Sequence, residues 1–262
     1  MLLDTVSASR RRDVYDVDAQ AYITAVEAAD GQRLEDSVRV AIHNFVIGCK
    51  ADASPATGVS NWAAMGKAFL MRGPRTIAGA FTPLKGSAGT NNGFTNSDYS
   101  RKRGPLSNGV KNFSTGTGGT DYATNNHHMA TWLSDWSVSA NLIRSGGIAY
   151  LITASGGAGT STIQTRSRSL SRFDTSPAVT ATGYNGFVGV SRTVSANYQS
   201  LANGSIATHT TTSSTPSAAG TLLWDSISST FSLGFHSEGN AVTLTSLRTR
   251  LTDYMNAIAV LP

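Results

Sequence analysis

GFVGVSRTVSANYQSLANGSIATHTT, residues 186–211, is the stretch on which the fold turns. Bulky apolar residues alternate with small or polar ones in three short runs, 186–192, 195–201 and 205–211, as they do in strands with one wet face. Asn203-Gly204 separates the last two runs, and Asn-Gly accepts the positive φ that a tight hairpin demands. Outward from this stretch the same grammar repeats. Further strands read at 76–84, 99–101, 126–133, 148–153, 162–167, 221–224 and 230–236, with turn signals at Asn108-Gly109 and Asn185-Gly186. Many short strands divided by Gly, Asn and Ser clusters specify an antiparallel sandwich rather than alternating strands and helices.

Before residue 53 the chain has another character. Residues 1–52 hold nine of the sixteen acidic residues and six of the twenty-one basic ones; the rest is crowded with Ser, Thr, Gly and Asn. Hydroxyls and amides must therefore cover the β-region, as they do on extracellular and virion β-proteins. Residues 1–16 carry Arg10-Arg11-Arg12 and no periodicity, and read as an extended arm that folds against a partner. Residues 17–52 read as a helical hairpin. Asp18 is the expected N-cap, Tyr22, Ala25, Val26 and Ala29 share a face, and Gly31 ends the first helix. Leu34, Val38, Ala41, Ile42, Phe45, Val46 and Cys49 give the second helix its apolar stripe. Residues 53–262 form the sandwich domain, opening with a loop over 51–60 and an amphipathic turn at Trp62, Met65, Phe69 and Leu70. A short helix over 244–260, lined by Leu244, Leu247, Leu251, Tyr254 and Ile258, closes the chain.

Several function classes are set aside on composition. One cysteine excludes an intrachain disulfide framework, and Cys49 on a helical stripe reads as a buried inert thiol. No apolar run approaches the ~18 residues a membrane helix needs, and Met1-Leu2-Leu3-Asp4 lacks the order of a signal peptide. The net charge of +5 is scattered; Arg10-Arg11-Arg12 and Arg101-Lys102-Arg103 are too short a footprint for nucleic acid.

LMRGPRTIAGAFTPLKG (70–86), NFSTGTGGTDYATNNHHMATWLS (112–134), GFVGVSR (186–192) and FSLGFHSEGNAVTLTSLRTRLTDYMNAIA (231–259) resemble phage virion proteins. These are tail-fibre-like or other structural proteins with a concanavalin A-like, laminin-G-type jelly roll. The helical segment at 16–52, and 98–113 as a turn-bounded strand pair, also resemble that family, so the likeness covers about residues 16–260. It implies a mainly β fold: a jelly-roll antiparallel sandwich with an N-terminal helical hairpin and a short C-terminal helix. It implies a non-enzymatic virion protein on a tail or capsid surface. The leading expectation is a tail-fibre or tail-tip component that recognises a host-surface glycan. The alternative is a capsid decoration, cement or head-fibre protein with no ligand, which the mere sixteen residues before the helices favour. Other virion proteins would be met through the arm and helices, and a homotrimer is expected by analogy with fibre proteins.

Candidate chemistry is sparse. Hydrolysis of glycans needs two carboxylates across a cleft, and Asp98, Asp121, Asp135, Asp174, Asp225, Glu238 and Asp253 form no such pair in sequence. Glu238 reads as part of the turn before the last helix. No G-x-S-x-G is present. His127 and His128 point to opposite faces of a strand, one buried and one exposed, a poor metal site. Asn96-Ser97-Asp98 offers oxygens but a single acid, too few for calcium. No cofactor or metal is therefore expected. Arg166, Arg168 and Arg172 read as a solvated edge guarded by charge. A glycan platform needs an exposed aromatic beside amides or acids. Trp136 and Asp135, with Tyr184 and Asn185, are the ligand-binding candidates, whereas Trp132 is expected in the core and Trp62 and Trp224 against the helices.

Overall fold

The computed structural model describes residues 15–53, 58–107, 109–118, 120–136, 141–145, 150–155, 162–168, 174–180, 184–202, 204–215, 220–224 and 231–262. Two helices open it, α1 (Val17–Asp30) and α2 (Asp36–Ala51), followed by short α3 (Asn61–Ala64), β1 (Met65–Leu70) and short α4 (Ile77–Ala80). Then come β2 (Thr90–Asn92), β3 (Tyr99–Ser100), β4 (Gly104–Ser107), β5 (Asn112–Gly118), β6 (His127–Trp136), β7 (Asn141–Ser145) and β8 (Tyr150–Ser155). The remainder comprises β9 (Thr162–Ser167), β10 (Asp174–Thr180), β11 (Tyr184–Arg192), β12 (Tyr198–Ala202), β13 (Ser205–His209), β14 (Gly220–Leu223), β15 (Phe231–Gly239) and α5 (Leu244–Ala259).

The described strands form two sheets, paired antiparallel throughout. The larger runs β13-β12-β11-β6-β15-β4-β3, with β1 also on β15; the smaller runs β10-β9-β8-β7-β14-β5-β2. This is the expected jelly-roll sandwich with helices at both ends of the chain.

Two cores divide the larger sheet by face. Phe69, Met129, Leu133, Val188, Val190, Phe231 and Leu233 point toward the smaller sheet and pack with Phe113, Ile163 and Leu223. Ala68, Leu70, Ala130, Phe187, Leu201 and Phe235 point the other way, under α1, α2 and α5. The molecule is thus three layers, helices on sheet on sheet. Burial of both faces explains why all nine residues of β15 are buried and why its sequence does not alternate. Phe45 of α2 ties the helical layer down, with its ring 5.9 Å from Phe235 and 6.1 Å from Tyr254 of α5. Tyr254 Oη donates to the Arg72 carbonyl at 2.6 Å, and Tyr22 Oη to that of Leu70 at 3.2 Å. Charge clasps the rim. Arg101 grips Glu35 through both nitrogens at 2.9 and 2.5 Å, and Arg250 grips Asp52 at 2.9 Å twice.

Several expectations are corrected. The N-cap of α1 is Asp16, whose carboxylate accepts the Asp18 N–H at 3.0 Å and pairs with Lys50 at 2.8 Å. The amphipathic turn near Met65 is strand β1; it has faces in both cores, and so carries no alternation. The strand over 76–84 is instead α4 and a turn, capped by the Thr76 hydroxyl on the Gly79 N–H. Glu238 lies inside β15 rather than in a turn. Asn185-Gly186 sits within β11, where a register shift against β6 falls between Tyr184 and Gly186. Trp224 packs between the sheets, 4.9 Å from Phe94 and 5.9 Å from Phe231, not against the helices, whereas Trp62 does lie on the helical core. Asn203, Asn108 and residues 1–14 of the arm lie outside the described residues, although Gly204 has the expected left-handed φ of 79° between β12 and β13.

Candidate functional site

The helical layer does not cover the whole outer face of the larger sheet. Where β11 begins and β6 ends, Trp132 is half-buried, packed at the border of the helical core. Its cross-strand neighbours are Phe187 on β11 and Phe235 on β15. The indole N–H donates to Asn185 Oδ1 at 3.1 Å in a solvent-exposed bond. That bond fixes the ring against one edge and leaves the exposed Asn185 amide NH₂ outward. Trp132, expected in the core, does pack against the helical core, with part of its ring left exposed.

The register of β6 and β11 sets Trp136 opposite Tyr184, so Asp135, Trp136, Tyr184 and Asn185 do come to one end of one strand pair. The side chains of Asp135 and Trp136 lie outside what the structure describes. Tyr184 departs from its expected role: its ring is buried in the inter-sheet core and its hydroxyl donates to the Phe187 carbonyl at 2.7 Å. It supports the bulge at Gly186 rather than offering a surface.

Further along the same face lies a cavity of about 160 Å³. Leu106 of β4 and Ser232 of β15, Cα partners in the register, line one side of it. Tyr99 and Ser100 of β3 line another, Ser97 and Asp98 close the end, and the exposed Arg103 stands at the lip. Gly104 makes the geometry possible. Its φ is 91°, and a Cβ there would lie 1.9 Å from the Leu233 carbonyl oxygen. Asp98 is structurally employed. It accepts the Thr95 N–H at 2.7 Å and hydroxyl at 2.8 Å and pairs with Lys111 at 2.5 Å. Desolvation opposes its charge, but the Lys111 and Thr95 bonds outweigh it and hold the carboxyl below its ordinary range.

The other candidates are absorbed by structure. Both His127 and His128 are buried, because both faces of β6 are covered. His127 Nε2 pairs with the Ser167 hydroxyl at 2.6 Å, and His128 with the Asn240 carbonyl at 2.5 Å and the Ser237 hydroxyl at 3.0 Å. Arg166 and Arg168 are buried rather than solvated, and Arg168 donates to the Tyr122 carbonyl at 2.8 Å; Arg172 lies outside the described residues. The Asn96 side-chain oxygen Oδ1 accepts the Ile77 N–H at 2.9 Å, and the Asp98 carboxylate is engaged by Thr95 and Lys111. Among the described residues, no group of three or more His, Cys, Asp or Glu side chains converges to hold a metal. Glu238 is sealed between the sheets, accepting from Thr221 at 3.0 Å with His236 Nε2 at 3.8 Å. Burial would raise its carboxyl; His236, Thr115 and Thr117 overcome that and keep it low. Cys49 is buried, and desolvation pushes its thiol up.

No family model matches the chain, and no curated protein matches it in sequence. Solved structures do. A Trypanosoma rangeli sialidase in complex with sialic acid shares 8% identity at a TM-score of 0.51, over 86% of this chain and 39% of that one. A mutant of the HCR/D domain shares 8% at 0.50, over 71% of this chain and 51% of that one. The binding domain of botulinum neurotoxin serotype D shares 8% at 0.49, over 72% and 51%. The likeness is one of fold. The chain spans about half the length of the toxin chains and less of the sialidase.

Proposed function

We propose that this chain is a non-enzymatic, lectin-like protein that binds a glycan on a cell surface through the uncovered end of the larger sheet. One observation carries the reading: the half-exposed Trp132 indole, fixed by Asn185 at the edge of the helical layer. Sugars present apolar C–H faces and hydroxyl edges, so an aromatic ring beside an amide meets both requirements at once. Trp136 and Asp135 follow at the end of the same strand. The carboxylates described above serve caps and ion pairs, which fits binding better than hydrolysis. The sandwich shared with a sialidase bound to sialic acid agrees with a carbohydrate ligand. Placement on a phage tail as a receptor-binding component, and trimeric presentation, rest on the sequence resemblance; copy number would then turn weak single-site binding into avidity.

The decoration reading keeps one observation in its favour. Val40 and Ile47 of α2, seven residues apart on one helical face, are 43% and 41% exposed, and Val17 is 75% exposed. That face suits a neighbouring protein and is compatible with a glycan-binding sandwich on the opposite side of the helices.

The test is a glycan array and whole-cell adsorption with the chain displayed multivalently, beside an Asn185→Ala variant. Binding that drops about tenfold in the variant supports the proposal. A correctly folded protein that binds no glycan at millimolar concentration defeats it and leaves the decoration reading.

A further inference from the structure

The gap between the two sheets holds a pair of charges that glycan binding leaves unused. Lys67 of β1 and Glu238 of β15 are direct cross-strand partners, 5% and 1% exposed. Directly opposed residues share a face, with Cβ atoms about 4.5–5.5 Å apart. That face is the inner one. Lys67 stands two residues before Phe69, which packs between the sheets, and Glu238 accepts from Thr221 of the smaller sheet at 3.0 Å. Both side chains converge on Thr115 of β5: Lys67 Nζ donates to its carbonyl, and its hydroxyl helps to hold the Glu238 charge.

Neither charge is settled where it lies. Among the described residues Lys67 forms no ion pair, and its ammonium makes that one bond. Glu238 Oε1 is buried without a hydrogen bond, as are both ring nitrogens of His236, whose Nε2 is 3.8 Å from that oxygen. Full charges held away from water are costly unless they are paired and hydrogen-bonded, and an orphaned buried polar atom in a folded protein calls for a physical account. Phe69 and Met129, the latter opposite Glu238 on β6, give the gap apolar walls. The single cysteine excludes an intrachain disulfide, so a covalent link between strands has to use other side chains.

We propose that Lys67 and Glu238 condense into an intramolecular amide, a covalent staple between β1 and β15. The ammonium passes one proton to the carboxylate, which removes both charges from the dry gap. The neutral Nζ then attacks Cδ, and the N–C bond forms. The C–OH bond breaks, and the hydroxyl leaves as water with a proton shed by the nitrogen and relayed through His236 Nε2. One amine and one acid become one amide and one water, with no oxidant, reductant or cofactor. Holding the two groups as cross-strand neighbours supplies an effective concentration on the order of 10⁵–10⁸ M when they are well oriented, which lets an unactivated carboxyl react. Lys67 has to swing away from the Thr115 carbonyl, and Gly116 leaves room for this: a Cβ there would stand 3.6 Å from Nζ. The staple ties the strand that follows the helical layer to the last strand of the sandwich, and closes most of the chain into one covalent loop.

Mass spectrometry of the intact, folded full chain tests this. The expected mass is that of the sequence less one water. Trypsin is expected to leave the bond after Lys67 uncut and to release one branched species that joins the Lys67 and Glu238 peptides. Lys67→Met and Glu238→Ala should each show the full mass of their own sequence. A wild-type chain at full sequence mass overturns the staple. A water loss that maps to any other pair of residues, or that persists in both variants, overturns it as well. If a variant does not fold, the wild-type digest still decides, because the branched species is either present in the native chain or absent from it.

Discussion

Phe45→Ala tests whether the helical hairpin is part of the fold or an appendage. Phe45 is 2% exposed and meets Phe235 of the sheet and Tyr254 of α5, so one ring joins three elements. Truncating a buried Phe to Ala costs about 3–5 kcal/mol through lost transfer energy and the cavity left behind. Taking about 4 kcal/mol, and roughly 2.1 cal/mol/K of unfolding entropy per residue over 262 residues, the Tm falls by about 7 °C. That is a large share of a typical 5–15 kcal/mol stability. Differential scanning calorimetry on wild type, Phe45→Ala and Val40→Ala decides it. Val40 lies on the same helix but is 43% exposed, and its change should stay within about 0.5 kcal/mol. A single transition shifted only in Phe45→Ala is expected. A shift below about 2 °C, or a separate early transition of the helices, would refute the three-layer argument.

Acid sensitivity follows from His128, whose ring burial pushes down to about 4 from 6.5. Below pH 6.5 the unfolded chain takes up a proton that the folded chain refuses until about pH 4, so stability falls across that window by about 3 kcal/mol; a flat Tm between pH 7 and 4 would contradict this. Glu35 adds to the loss at lower pH. The Arg101 hydrogen bonds hold its carboxyl below 4.5, so its contribution is present above that value and disappears as the pH drops through the folded pKa. Glu35→Gln should flatten the acid limb of a Tm-against-pH curve. Gly104→Ala forces a Cβ into the Leu233 carbonyl at a φ of 91°, and should cost about 3 kcal/mol or more in urea unfolding. Cys49, buried and held protonated, should react with a thiol reagent only as fast as the protein unfolds; rapid labelling in native buffer would show the α2–α5 contact to be looser than drawn.

How far the surface was legible depends on what each residue needs to reveal itself. Asn185 announced itself as an amide beside an aromatic, and the structure keeps it exposed. Tyr184 carried the same signal, but the bulge at Gly186 turns its ring inward, and a bulge is set by the partner strand. Trp132 was read as core because it lies mid-strand; its half-exposure depends on where the helical layer stops. The cavity draws on residues from 97 to 232, and no local pattern links Ser232 to Ser100. The basic run at 101–103 was visible but had no geometry until β3 and β4 folded around it.

The sequence by itself determined the three long helices, α1, α2 and α5, and the β-rich class. A 3.6-residue stripe, Gly31 at the end of α1 and the turn glycine Gly204 between β12 and β13 are local signals that nearest neighbours along the chain enforce. Only the tertiary structure decided β1, the core placement of Glu238 and His128, and the shared face of Trp132 and Ser232. Strands buried on both faces lose their alternation, and which face a residue shares is fixed by hydrogen-bonded register between distant segments, a quantity that no stretch of sequence contains alone.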